Sequence, residues 1–122
     1  MMSLADGQLE LYSGNDDQVL PILSLGGLGV ISVLSNVAPK FTHDMVMKYF
    51  DGDTKGATED QLKALPLINA LFSEVNPIPV KTAMNLMGMN VGPLRMPLCE
   101  MEEDTKAVLA KEIEKFGLKL AK

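Results

Sequence analysis

Hydrophobic and polar positions alternate over Leu9-Glu10-Leu11-Tyr12, the period-2 pattern of a short strand. Ser13-Gly14-Asn15-Asp16-Asp17 then reads as a turn whose acids cap a helix. Val19, Leu20, Ile22, Leu23 and Leu25 give that helix an apolar face, and Gly26-Gly27 stops it. Val30-Ile31-Ser32-Val33-Leu34 is a β-branched run suited to a strand buried on both faces. Strand, helix and strand make a βαβ unit over residues 9 to 36, with the two strands expected parallel. Ligands of α/β sheets collect at the carboxyl ends of strands, which directs attention to the turns Ser13–Asp16 and Ser35–Asn36. A two-stranded sheet leaves both edges unpaired, whereas sheets usually hold about 4–6 strands. Since no later segment reads as a strand, the expectation is the end of a larger α/β protein.

The rest of the pattern is helical. Asn36-Val37-Ala38-Pro39 opens a helix with proline in its first turn. Val37, Met45, Met47, Tyr49 and Phe50 give it apolar surface, and Asp51-Gly52-Asp53 ends it. Thr58-Glu59-Asp60 reads as the cap of a long helix reaching Glu74, with Pro66 expected to kink it. Asn76-Pro77-Ile78-Pro79 reads as a rigid linker into a short helix, Val80–Met87, stopped by Gly88. Val91–Leu98 is extended and pinned by prolines that a central strand would not tolerate. A last helix has acids over Glu100–Asp104, an apolar stripe of Val108, Leu109, Ile113 and Phe116, and a Gly117 stop.

Composition narrows the function classes. The 122 residues are 47% hydrophobic, enough for a single packed core and unlike a disordered chain. A net charge of −5 without a basic stripe argues against nucleic-acid binding. No stretch approaches the ~20 apolar residues of a membrane span, and Met1-Met2-Ser3-Leu4 lacks the pattern of a secretory leader. Cys99 is the only cysteine; it fits a reducing cytoplasm and reads as a buried structural thiol. His43 is the only histidine, with no acid cluster at metal-ligand spacing, so neither metal nor cofactor is expected.

Four strings come in one order: Leu11-Tyr12-Ser13-Gly14-Asn15-Asp16, Leu25-Gly26-Gly27-Leu28-Gly29-Val30-Ile31-Ser32-Val33, Asn76-Pro77-Ile78-Pro79-Val80-Lys81 and Leu94-Arg95-Met96-Pro97-Leu98. Together they resemble the C-terminal part of the dihydrodipicolinate synthase family, also called 4-hydroxy-tetrahydrodipicolinate synthase. The resemblance implies an α/β chain holding the last two units of a (β/α)8 TIM barrel plus a C-terminal helical domain. Residues 9–12 would be the seventh strand and 29–34 the eighth, with residues 1–53 the partial barrel and 54–122 the helical domain. A complete barrel takes roughly 250 residues, so six strands would lie outside this chain.

The resemblance also implies an activity. The family is a Schiff-base lyase that condenses pyruvate with L-aspartate semialdehyde in the diaminopimelate route of lysine biosynthesis, in the cytoplasm and as a homo-oligomer. Its lysine, proton-relay hydroxyls and arginine belong to the first six strands, so the chain alone is expected to be inactive. Gly14 and Ile31 match positions lining the pyruvate site, and Asn15 and Asp16 match the mouth where the second substrate enters. Asn15 stands where relatives can carry aspartate.

Each of these residues also has a plainer reading. Gly14 suits a tight turn of positive φ, Ile31 a core position, and Asp16 with Asp17 a helix cap. Lys81 and the other lysines read as solvated or interface side chains, Arg95 as a structural bridge to carbonyls or a carboxylate, and the methionines as core filler. Two further functions compete. One is a segment of another pyruvate lyase, such as N-acetylneuraminate lyase. The other is a non-catalytic chain that self-associates through its βαβ edge.

Overall fold

The structure, a computed structural model, describes residues 2–121. A short helix α1 (Met2–Ala5) precedes strand β1 (Tyr12–Ser13). A 3-10 turn (Asp16–Gln18) leads into α2 (Val19–Ser24), and strand β2 (Gly29–Val30) follows. A second 3-10 turn (Leu34–Asn36) precedes α3 (Pro39–Phe50), α4 (Thr54–Leu71), α5 (Ile78–Leu86) and α6 (Glu103–Phe116).

β1 and β2 pair in parallel, Tyr12 with Gly29 and Ser13 with Val30, with α2 as the crossover. The ladder is extended by Leu28 N–H donating to the Leu11 carbonyl at 2.7 Å and Ile31 N–H to Ser13 at 2.8 Å. Both strands are shorter than their sequence pattern suggests. Leu9 and Glu10 lie outside the pairing, and beyond Ile31 the chain coils into the second 3-10 turn. Ile31, expected in a doubly buried strand, is 75% exposed. Residues are strand only where a partner completes the ladder, and each strand here has one short partner.

The Gly-Gly stop is steric. A Cβ on Gly27 would lie 2.5 Å from Ile22 Cγ2 and 2.8 Å from the Ile22 carbonyl, which Gly27 N–H itself approaches at 2.9 Å. The preceding Gly26 has φ +92°. Val19 and Leu23 of α2 close on Met45 of α3 in a small core, whereas Leu25 faces outward. Met47 and Phe50 also lie off the buried face of α3.

α4 starts earlier than its Thr58-Glu59-Asp60 signature suggests. Asp53 is its cap, accepting from Gly56 N–H at 2.9 Å, and Thr58 lies one turn inside with its hydroxyl on the Thr54 carbonyl. The helix continues through Pro66 to Leu71 rather than Glu74. Asn76–Pro79 is likewise less of a linker than expected, since α5 begins at Ile78 with Pro79 in its first turn. Residues 88–101 are irregular, and Asn85 holds them by accepting from Val91 N–H at 2.9 Å and donating to the Gly92 carbonyl at 3.1 Å.

The main core lies between α4, α5, α6 and the second 3-10 turn, around Leu34, Leu67, Leu71, Val80, Leu109 and Ile113. Val108, expected in the α6 stripe, is exposed instead. Glu74, just past α4, accepts from Glu102 N–H at 3.2 Å and from the Thr105 hydroxyl, seating the start of α6. Among the described residues no helix is long and apolar enough to cross a membrane.

Candidate functional site

Parallel pairing brings the loops that follow β1 and β2 to the same end of the sheet, where α/β proteins place their ligands. Asp16 ties the two loops together. Its side chain, in a residue only 1% exposed, accepts from Val33 N–H and Leu34 N–H, both at 2.9 Å, and from the Ser32 hydroxyl. The cap expected on α2 is therefore absent: the acid caps the 3-10 turn at Leu34–Asn36 instead, across the sheet. Ser32 Oγ in turn accepts from Ser35 N–H at 2.8 Å, and the Asn36 amide donates to the Val33 carbonyl at 3.0 Å. On the β1 side, Ser13 Oγ donates to the Asn15 carbonyl at 2.7 Å and accepts from Asn15 N–H at 3.2 Å.

This bracing leaves Gly14, Asn15 and Ile31 open. Gly14 is exposed, its φ is outside the left-handed region, and an added Cβ would meet nothing within 4 Å. The positive-φ turn read from the sequence is thus not what Gly14 provides; it provides empty space beside the backbone. Asn15 is exposed, and Ile31 is brought next to this loop by its N–H bond to Ser13. Asp16 lies beneath these three rather than among them.

Gln61 of α4 reaches the same loop. Its Nε2 donates to the Asp16 carbonyl at 2.8 Å, and its Oε1 accepts from Leu20 N–H at 3.4 Å. No local motif marks Gln61 for this role. The available signal was a polar residue in the buried row of α4, between Ala57 and Ala64.

The remaining candidates lie elsewhere. Lys81 is on α5, where its ammonium donates to the Pro93 carbonyl at 2.6 Å beside a surface cleft of about 300 Å³. His43 is exposed on α3, with Nδ1 3.4 Å from Asp44, whose carboxyl is held below its ordinary value by hydrogen bonds from Lys40 and then His43. Cys99 is exposed, contrary to the buried thiol expected: it lies in the irregular segment, outside any packed face. Arg95 is exposed too, and the fold uses its carbonyl, accepting from Leu98 N–H at 3.0 Å, rather than its guanidinium as a bridge. Met45 and Met101 are core, but Met96 is almost fully exposed. Among the described residues no group of three or more histidine, cysteine or acidic side chains is arranged to hold a metal.

Comparison with known proteins gives one consistent result. The model of the Dihydrodipicolinate synthetase family matches residues 1–116. The 4-hydroxy-tetrahydrodipicolinate synthase of Lachnoclostridium phytofermentans is 63% identical over 113 residues, 93% of this chain and 38% of that protein. The enzyme of that name from Clostridium tetani is 56% identical over 97% of this chain and 40% of its own length. The crystal structure of dihydrodipicolinate synthase from Thermotoga maritima superposes with a TM-score of 0.91 at 44% identity, covering 96% of this chain and 40% of that one. The chloride-inhibited dihydrodipicolinate synthase of Acinetobacter baumannii, complexed with pyruvate, gives 0.90 at 32% identity, covering 97% and 40%. The chain thus spans about 40% of the length of the relatives it matches.

Proposed function

Because the chain belongs to the Dihydrodipicolinate synthetase family, we propose that it is the C-terminal part of a 4-hydroxy-tetrahydrodipicolinate synthase, a cytoplasmic lyase of lysine biosynthesis that condenses pyruvate with L-aspartate semialdehyde. In this reading β1 with α2 and β2 with α3 are the seventh and eighth units of the TIM barrel. Residues 1–53 belong to the barrel, and residues 54–122 form the helical domain appended to it. The name shared by the relatives favours this enzyme over other pyruvate lyases.

One observation carries the reading to a site: Asp16 locks two strand-end loops together and leaves Gly14 and Ile31 open at the carboxyl end of a parallel sheet. Gly14, lacking a Cβ, lets the small keto acid lie against the backbone, and Ile31 supplies an apolar contact for its methyl. Asn15 stands open at the mouth for the aldehyde, and Asp16, buried beneath it, acts there only by fixing the loop. The solved relative with pyruvate supports the choice of ligand.

The chemistry needs an amine that displaces the keto oxygen of pyruvate as water, leaving an imine whose enamine form attacks the aldehyde carbon. Among the described residues no lysine stands at a strand end; Lys81 belongs to α5, where its ammonium donates to a carbonyl. The reactive lysine therefore belongs to the part of the enzyme outside these residues, and the chain alone is inactive. Borohydride reduction in the presence of pyruvate, read by mass spectrometry, tests this. No adduct is expected on this chain, and one on the remainder of a complete synthase carrying it. An adduct on Lys81 would overturn the assignment.

A further inference from the structure

Resting on that reading, we infer that Gln61, on the helical extension, is a positioning residue for the pyruvate site: it sets the loop bearing Gly14 and Asn15 without touching substrate. Gln61 is 6% exposed and sits in the α4 row of Ala57, Ala64, Leu67 and Leu71, where an apolar side chain would pack without polar cost. Its amide contributes nothing to α4 itself. Both of its hydrogen bonds leave the helix for the segment just after the candidate site, to the Asp16 carbonyl and the Leu20 N–H. The amide's orientation follows from its partners, because a carbonyl only accepts and a backbone N–H only donates.

The linkage continues through one residue. The Asp16 peptide that Gln61 holds carries the carboxylate that holds Ser32, Val33 and Leu34, which directly follow Ile31. Asp16 also follows Gly14 and Asn15 directly, and the Asn15 carbonyl accepts from Gln18 N–H at 3.2 Å. A single buried amide on α4 thus fixes the peptide from which both strand-end loops are hung. Leu20 N–H belongs to the first turn of α2, where amides lack partners within the helix, so the second bond fixes the direction in which the chain leaves the site.

The test uses a complete synthase in which these residues replace the matching segment of the Lachnoclostridium phytofermentans enzyme. Gln61→Met conserves volume and removes both bonds. Gln61→Asn keeps the amide but shortens its reach, and serves if the methionine variant fails to fold. Either is expected to raise the KM for pyruvate about 10-fold, with kcat changed less than about 2-fold. Gly14→Val in the same enzyme reports on the site itself and should raise the KM for pyruvate as well. If Gly14→Val raises it and the Gln61 variants only lower the thermal midpoint, Gln61 serves packing and the inference fails while the site stands. If Gly14→Val leaves pyruvate KM unchanged, the site reading fails and the inference falls with it.

Discussion

Asp16 is the sharpest place to perturb the fold. Replacing it with alanine strands the N–H of Val33, the N–H of Leu34 and the hydroxyl of Ser32. Of these bonds, the one to Leu34 is fully buried and the others are partly so. An unsatisfied buried donor costs about 1–3 kcal/mol and a partly exposed one less. Removing the carboxylate also removes its own desolvation, which offsets part of that loss. Asp16→Ala should therefore destabilise by about 2–4 kcal/mol, a large share of the roughly 5–15 kcal/mol typical of a domain. Asp16→Asn should cost only about 1 kcal/mol. Its oxygen can still accept both backbone amides, while its nitrogen turns to Ser32 Oγ, already an acceptor for Ser35 N–H. Urea unfolding followed by circular dichroism gives the ranking, and amide hydrogen exchange at Val33 and Leu34 gives the location. Equal losses for the two variants, or full protection of both amides in Asp16→Ala, would refute the reasoning.

Other perturbations test separate parts of the structure. Gly27→Ala places a methyl against Ile22 at 2.5 Å and should destabilise by about 1–3 kcal/mol; an unchanged melting temperature would show that the turn simply shifts. Lys48 is bonded to Asp60 at 2.6 Å, and that hydrogen bond raises its ammonium above the ordinary 10.5. Its stabilising contribution is thus fully present below that value and is lost as pH rises through the higher folded-state value, so wild type and Lys48→Met should converge only in strong alkali. A stability gap that closes near neutral pH would point to another group. Tyr12, Leu28 and Ile31 line a sheet with two unpaired edges, so sedimentation at micromolar concentration should find self-association that Ile31→Asp weakens. A monodisperse monomer would count against that.

What could be read in the sequence depended on how far away each residue's partner lay. The α6 boundaries follow from Glu103, Asp104 and Gly117, and the start of α3 from Pro39, because caps and dipoles act within one turn. The strands are shorter than their pattern because alternation at Leu9–Tyr12 and β-branching at Val30–Leu34 describe side chains, whereas a strand exists only against a partner. Asp53 and Thr58 carry the same local signal for the start of α4, and the choice between them rests on a bond to Gly56. For the site, Gly14, Asn15 and Ile31 could be proposed by resemblance. The bracing by Asp16 and Gln61 could not, because their partners lie 16 to 18 and 41 to 45 positions away.

The clasp of Glu74 on Glu102 and Thr105 has an evolutionary consequence. It closes the excursion from 75 to 101 at its base, so the end of α4 pins the start of α6 while α5, inside the excursion, packs into the same core. The entropy of closing a loop grows only logarithmically with its length, about 0.6 kcal/mol for a doubling. Within that excursion, the exposed tip at Met89–Asn90 forms a short loop that Asn85 closes through its bonds to Val91 and Gly92. Insertions should accumulate there while the helices on either side keep their registration, which makes this tip the natural point at which to splice a tag or a foreign peptide.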